Sequence, residues 1–418
     1  MINYDTSLTV NKKQLKSLNN FWLGFIVYTF SGLPSNTTYV SIVICQGVQI
    51  IGVILMAISI IYLIQFKFDN QYLKFIYILY CAWLFTLLLK GFQFLTNYSY
   101  LKDFLFNPYE GMLYFAPLVL LFPRNLVFYK KVFDVIAVCG IFYIIYNTLF
   151  IKQVLSADRS SVTGTGIVET LSDLSFSSGF VVLTYAYHHR KRQWLALGVV
   201  SLAFFFAVIR ARRGLTLMYT EIVLVSYILY VFHSKMKFLI IYLTAFIALL
   251  GVFYVSGVYR PHENRLFGSL LERGNENTRE RVELYFQDDM KTKDWIMGRG
   301  IRGEYFCPDV EENQLTNYRQ TIETGYKQTI LKGGLISLGL FLLIAVPAIL
   351  KGLFFSKNIL SKIAAIWIVM CLINSYPGTV NAFTLQYLLV WMSIGICYSK
   401  NIRNLRDDDL KKLFQAVT

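Results

Sequence analysis

Tyr39–Gln65 reads YVSIVICQGVQIIGVILMAISIIYLIQ, a long apolar run without a single charge. At about 1.5 Å rise per residue, a helix of this length exceeds the ~30 Å hydrocarbon core of a bilayer. In hydrocarbon every backbone N–H and C=O must find a partner inside the protein, so only a helix or a closed barrel can cross. A barrel strand needs only about 9–11 residues with alternating polarity. The run is longer and does not alternate, which selects a transmembrane helix.

Similar runs recur along the whole 418-residue chain. They give twelve expected spans, at 20–34, 39–65, 72–95, 104–122, 131–151, 170–188, 194–210, 214–232, 237–256, 322–350, 359–375 and 380–398. The first is short, ends in Gly32-Leu33-Pro34, and has a re-entrant or interfacial helix as its alternative. The composition agrees: 56% hydrophobic, 17% aromatic and 16% charged, with mean hydropathy +0.49. A soluble protein carries about 25% charged residues. The expected fold is therefore an all-α polytopic membrane protein with one long extracytoplasmic loop containing short helices. Residues 1–256 form the bundle of spans one to nine, 257–320 the loop, 321–398 spans ten to twelve, and 399–418 a cytoplasmic tail. The polar start, with Lys12, Lys13 and Lys16, lacks the pattern of a cleavable signal peptide.

The formal net charge is +15, but the excess cations lie in short loops beside spans. They orient the chain and meet anionic head groups; they do not mark a nucleic-acid surface. With the N-terminus inside, the inner segments hold groups such as Arg124, Lys130, Lys131 and Arg190, Lys191, Arg192, while the short outer segments are poor in cations. Five of six cysteines fall inside spans and Cys307 lies in the loop, which excludes a disulfide framework. His188, His189, His233 and His262 lack metal-ligand spacing.

One outer turn departs from the charge rule. Ile209-Arg210-Ala211-Arg212-Arg213-Gly214 carries three arginines with no acid beside them in sequence. Guanidinium forks grip phosphate oxygens bidentately, so an anionic ligand is expected; snorkelling to lipid phosphates is the plainer alternative. Arg210 and Arg213 share a helix face if the helix runs that far. In the loop, Asn275–Met290 reads NENTRERVELYFQDDM. Asn277 and Glu280 have capping-box spacing, and Val282, Tyr285, Phe286 and Met290 recur at helical spacing, with Arg279 and Arg281 in the first turn. Trp295 is a candidate interface anchor, and Gly298 and Gly300 permit a tight turn. At the start of span ten, Glu323 and Lys327 are four apart, in the favoured order for a helical ion pair. Glu323 is alternatively a general base. Gly333, Gly334 and Gly339 read as sites of close helix packing. Lys90, Glu110, Asp173 and Glu221 read as packing or snorkelling partners.

This pattern resembles the O-antigen polymerase and ligase superfamily, on the Wzy-type polymerase branch. Arg213-Gly214 is similar to that family's Ser-Arg-Gly turn, with Arg212 in place of the serine. Thr278–Tyr285 followed by Gly298-Arg299-Gly300 is similar to its loop helix and Gly-x-Gly. Glu323-Thr324-Gly325-Tyr326 is similar to the start of its post-loop span, but ligases carry histidine where Glu323 stands. The resemblance implies a bacterial inner-membrane enzyme with cytoplasmic termini. It would join undecaprenyl-diphosphate-linked oligosaccharide repeat units at the outer face, without cofactor or metal. Glu323, Arg279 and Arg213 would be catalytic; Arg210, Arg212, Arg281, Tyr285, Tyr326 and Lys327 would bind the substrate. Partners would be membrane lipids, a flippase and a chain-length regulator, with no nucleic acid. A ligase-like glycosyltransferase and a polysaccharide-lipid flippase or transporter are the alternatives.

Overall fold

The computed structural model describes residues 11–32, 41–92, 97–155, 168, 171–233, 237, 242, 244, 246, 279–308, 317–378 and 381–416. Asn277 and most of the expected ninth span lie outside these residues. The described chain is helical apart from two short antiparallel strands, β1 (Tyr305–Phe306) and β2 (Tyr318–Arg319).

Among the described residues, seven helices are long and apolar enough to cross a membrane. They are α2 (Ile42–Leu63), α3 (Gln71–Phe92), the segment Tyr98–Leu121, α5 (Leu126–Leu149), α7 (Arg190–Ile209), α8 (Arg213–His233) and α11 (Gly325–Phe354). Shorter apolar helices are α6 (Leu171–Leu183), α12 (Ile359–Asn374) and α13 (Leu385–Tyr398). The chain is thus an all-α, membrane-embedded protein.

Several expected spans differ in detail. The first is α1 (Lys12–Gly32), which starts earlier than expected and is not one of the seven. The expected helix 104–122 is α4 (Tyr98–Phe106) followed by a 3-10 helix, Gly111–Leu121. Asn107 precedes Pro108, which disfavours helical backbone there. The Asn107 side chain instead accepts from Tyr109 N–H at 3.0 Å. Within 170–188 the helix breaks at Phe176–Ser177, where serine hydroxyls bond back to carbonyls: Ser175 to Ser172 and Ser177 to Leu174, each at 3.2 Å.

The chain divides into two compact units, residues 1–136 with 278–418, and residues 137–277; the boundary falls inside α5. In the first unit α1 packs on α2 where Gly24 and Gly52 meet. A Cβ on either would lie 2.7 Å from the other's carbonyl oxygen. The α1 residues Phe21, Phe25 and Tyr28 are buried edge-to-face against Phe122 and Phe383. Every residue of α13 is buried, as expected of a helix apolar on all sides. Its Trp391 stacks on Tyr80 of α3.

In the same unit α11 is broken at Gly334, which adopts φ 68° and ψ −177°. In the second unit Gly179 lies close against Ile222 of α8 and Gly140 against Val199 of α7.

Candidate functional site

The loop after residue 278 folds as α9 (Glu280–Asp289) and α10 (Thr292–Met297). The apolar positions of α9 behave as their spacing demands. Val282, Phe286 and Met290 are buried with Tyr305, Cys307, Ile322, Ile330 and Leu331. Tyr285 is partly buried on the same cluster. Trp295 also packs there, edge-to-face on Phe286 at 5.5 Å. The α9–α10 turn folds it back, partly buried, onto that apolar face.

This packing brings the start of α9 against the start of α11, and their charges pair crosswise. Arg279 Nε donates to Glu323 Oε2 at 2.6 Å. Lys327 Nζ lies 2.7 Å from Glu283 Oε2. Thr324 Oγ1 donates to Glu283 Oε1 at 2.6 Å. The expected Glu323–Lys327 pair is therefore not formed. Glu323 precedes α11, which starts at Gly325, so the two do not share a helix face; each takes a partner from α9. Burial pushes the Glu283 carboxyl up, but the Lys327 ammonium and the Thr324 hydroxyl outweigh it and hold it below the usual carboxylate range. The Glu323 side chain is 56% exposed. Arg281 is exposed on α9, and the Tyr326 hydroxyl donates to the Leu372 carbonyl.

Below this group the turn after α10 docks into the break in α11. A helix break frees carbonyls that hydrocarbon cannot satisfy. Arg299 N–H donates to Leu331 O at 2.8 Å and Gly300 N–H to Lys332 O at 2.9 Å. Trp83 Nε1 donates to Gly333 O at 3.0 Å and to Ser337 Oγ at 2.9 Å. Gly298 (φ 65°) and Gly334 (φ 68°) both need the left-handed region and touch each other. A Cβ on Gly298 would lie 2.5–2.6 Å from the amides of Gly334 and Gly333. Gly334 thus admits the turn, while Gly333 packs closely on α3, where a Cβ would lie 2.9 Å from Leu87 Cδ1, and Gly339 has nothing within 4 Å of where a Cβ would stand.

Arg299 locks this turn through Asp289, Asp294 and the Glu304 carbonyl. Arg302 lies beneath it, bonded to Tyr100 O at 3.0 Å, 3.4 Å from Asp103 and stacked over the Tyr100 ring at 4.3 Å. Lys332, only 7% exposed, donates to Gly303 O at 3.2 Å.

The arginine turn belongs to the second unit. Helix α7 ends at Ile209, and the chain turns before α8 begins at Arg213. Arg212 N–H donates to Ala207 O at 2.9 Å and Ala211 N–H to Val208 O at 3.0 Å, the two bonds of a Schellman cap. Ala211 holds the left-handed position (φ 51°) that glycine usually takes. The three arginines therefore leave in different environments. Arg210 is 2% exposed, Arg212 half-buried and Arg213 exposed. Arg210 and Arg213 do not share a helix face as expected, since the cap lies between them.

Of the sequence candidates, the structure joins Arg279, Glu323 and Lys327 in one charged group with Glu283. It uses Tyr285 and Tyr326 in packing and hydrogen bonding, and leaves Arg281 in solvent. Sequence reasoning missed Glu283, Arg299, Arg302 and Lys332. Only Lys332 carried a readable signal, as a lone cation beside Gly333-Gly334 in an apolar run. No family model, no curated protein and no solved structure matches this chain.

Proposed function

We propose that the protein is a polysaccharide polymerase. It joins isoprenoid-diphosphate-linked oligosaccharide repeat units at the outer face of a bacterial plasma membrane, with the lipid diphosphate as leaving group and inversion at the anomeric carbon. The observation that carries this reading is the crossed group Arg279, Glu283, Glu323 and Lys327, held by the extramembrane helix α9 over the start of the apolar helix α11. A lipid-anchored sugar presents its reacting bond at that depth. Guanidinium and ammonium groups there can take up the charge that develops on a departing diphosphate. Arg210, Arg212 and Arg213 are assigned to phosphate binding on guanidinium chemistry and sequence resemblance.

The test is reconstitution with a single lipid-diphosphate-linked repeat unit. A ladder spaced by one unit is expected. Arg279→Ala should abolish it while the protein stays folded in the membrane. Charge reversal separates phosphate binding from structure. Arg279→Glu with Glu323→Arg re-forms the pair, so α9 stays docked, yet the ladder should not return. A restored ladder would make Arg279 a structural residue only.

A second reading has its own support. A broken helix with buried ionisable groups is a recurrent feature of transporters, and α11 breaks beside Lys332. Movement of the intact lipid-linked unit across a vesicle bilayer, with no ladder, would favour it.

A further inference from the structure

The acid that removes a proton from the attacking hydroxyl has to be ionised, oriented and not already committed. At the start of α11 both acids are committed: Glu323 to Arg279, and Glu283 to Lys327 and Thr324. Glu110 differs. It sits between α4 and the 3-10 helix Gly111–Leu121 and is only 6% exposed. Among the described residues its carboxyl accepts no hydrogen bond and makes no ion pair. The charges of Lys332 and Arg302 both act on it. Those cations are themselves fixed, Lys332 to Gly303 O and Arg302 to Tyr100 O and Asp103. Desolvating a carboxylate is costly unless opposite charge compensates. Here two cations offset part of that cost without occupying the oxygens.

We propose that Glu110 is the proton acceptor for the sugar hydroxyl, with Lys332 and Arg302 as the fixed cations beside it. The inference rests on the polymerase reading. The acceptor hydroxyl oxygen forms the new bond to the anomeric carbon while its proton passes to a Glu110 oxygen. The anomeric carbon–oxygen bond to the diphosphate breaks, and the diphosphate leaves with the electron pair. The clasp explains the location. The turn 298–303 carries Arg302 and the Gly303 carbonyl, and its backbone fills the break in α11 that brings Lys332 to it.

The experiment compares Glu110→Gln with Glu323→Gln in the reconstituted ladder assay, with kcat and KM measured across pH. The charged or titratable groups facing Glu110 are Lys332 on α11, Arg302 in the turn, Asp103 on α4 and Tyr114 in the 3-10 helix. Glu110→Gln should lower kcat by about 100-fold or more with KM little changed, and should remove the acid limb of the wild-type profile. Glu323→Gln should keep that limb. As a measurement on unmutated protein, a hydrophobic carbodiimide should convert Glu110 to its N-acylurea, located by mass spectrometry, and stop the ladder. A Glu110→Gln protein with more than a tenth of the wild-type kcat, or carbodiimide-modified Glu110 with a normal ladder, would overturn the proposal and leave the polymerase reading standing. A wild-type protein that makes no ladder at all would overturn both.

Discussion

Glu283 shows how one side chain was invisible in sequence yet holds two elements together. It is an ordinary acid in the first turn of α9, where the helix dipole already favours it. Folding adds the Lys327 ammonium and the Thr324 hydroxyl, and its carboxyl falls below the usual range. A group whose folded pKa is depressed contributes stability that is present above its unfolded pKa, about 4.3 for glutamate. That contribution is lost as pH falls through the lower folded value. The pair is partly exposed, so the effect is modest and local, up to about 1 kcal/mol. Hydrogen exchange of the α9 amides should read it. Protection of wild-type α9 should fall between pH 5 and pH 3 more steeply than that of Glu283→Gln, both compared at each pH. Parallel curves would mean that Lys327 and Thr324 do not hold α9 through this carboxyl. Glu323 was legible as an ionisable residue at a span start, but its partner was not. Arg279 lies 44 positions away, and no local spacing rule reaches that far.

At the scale of elements, the break in α11 and the turn that fills it stand or fall together. Gly298 and Gly334 sit at positive φ with their backbones in contact, and Ile296 O crowds the site where a Gly334 Cβ would stand. Neither position can shift without displacing the Arg299 and Gly300 amides from the freed carbonyls. Gly298→Ala and Gly334→Ala should each cost about 3 kcal/mol or more, combining left-handed strain, a backbone clash and lost hydrogen bonds. Gly339→Ala is the control. With open space around it and a helical backbone, it should be neutral or gain up to about 1 kcal/mol. Thermal unfolding in detergent would rank the three, and equal midpoints would mean that the clasp carries no stability. The sequence made part of this legible. Gly298 and Gly300 read as a turn, Gly333-Gly334 read as a close approach, and the α9 apolar face followed its period. Gly333 does meet a helix, α3, but what approaches Gly334 was not legible, because a helix and a loop both fit a small-residue gap. The 3-10 segment and the break at Phe176–Ser177 escaped for a related reason. Hydropathy over a whole span outweighs one proline or a few serines, yet those residues set the local backbone.

At the scale of the molecule, the apolar helices mark a membrane-embedded protein, and the charge pattern sets an expected orientation. Lys and Arg resist translocation in short loops, so the cation-rich inner groups should face the cytoplasm. On that basis α10 is expected outside and α14 (Lys400–Asn404) inside. Lys293 on α10 and Lys400 at the start of α14 are both exposed, which makes them suitable reporters. Native thiols interfere little: Cys45, Cys139, Cys307, Cys371 and Cys397 are buried, and the half-buried Cys81 lies within α3. A membrane-impermeant maleimide should label Lys293→Cys in intact cells and Lys400→Cys only after lysis. The reverse pattern would place α9, α10 and the crossed charges of Arg279, Glu283, Glu323 and Lys327 in the cytoplasm. Substrates there are nucleotide-activated sugars and not flipped lipid-linked units, so the polymerase reading would fail with the topology. Labelling of both sites from outside would mean that the number of crossings between them is even. That would exclude the expected three spans after the loop, which leaves α11, α12 and α13 to be reassigned, beginning with the two shorter helices as the ones that need not cross.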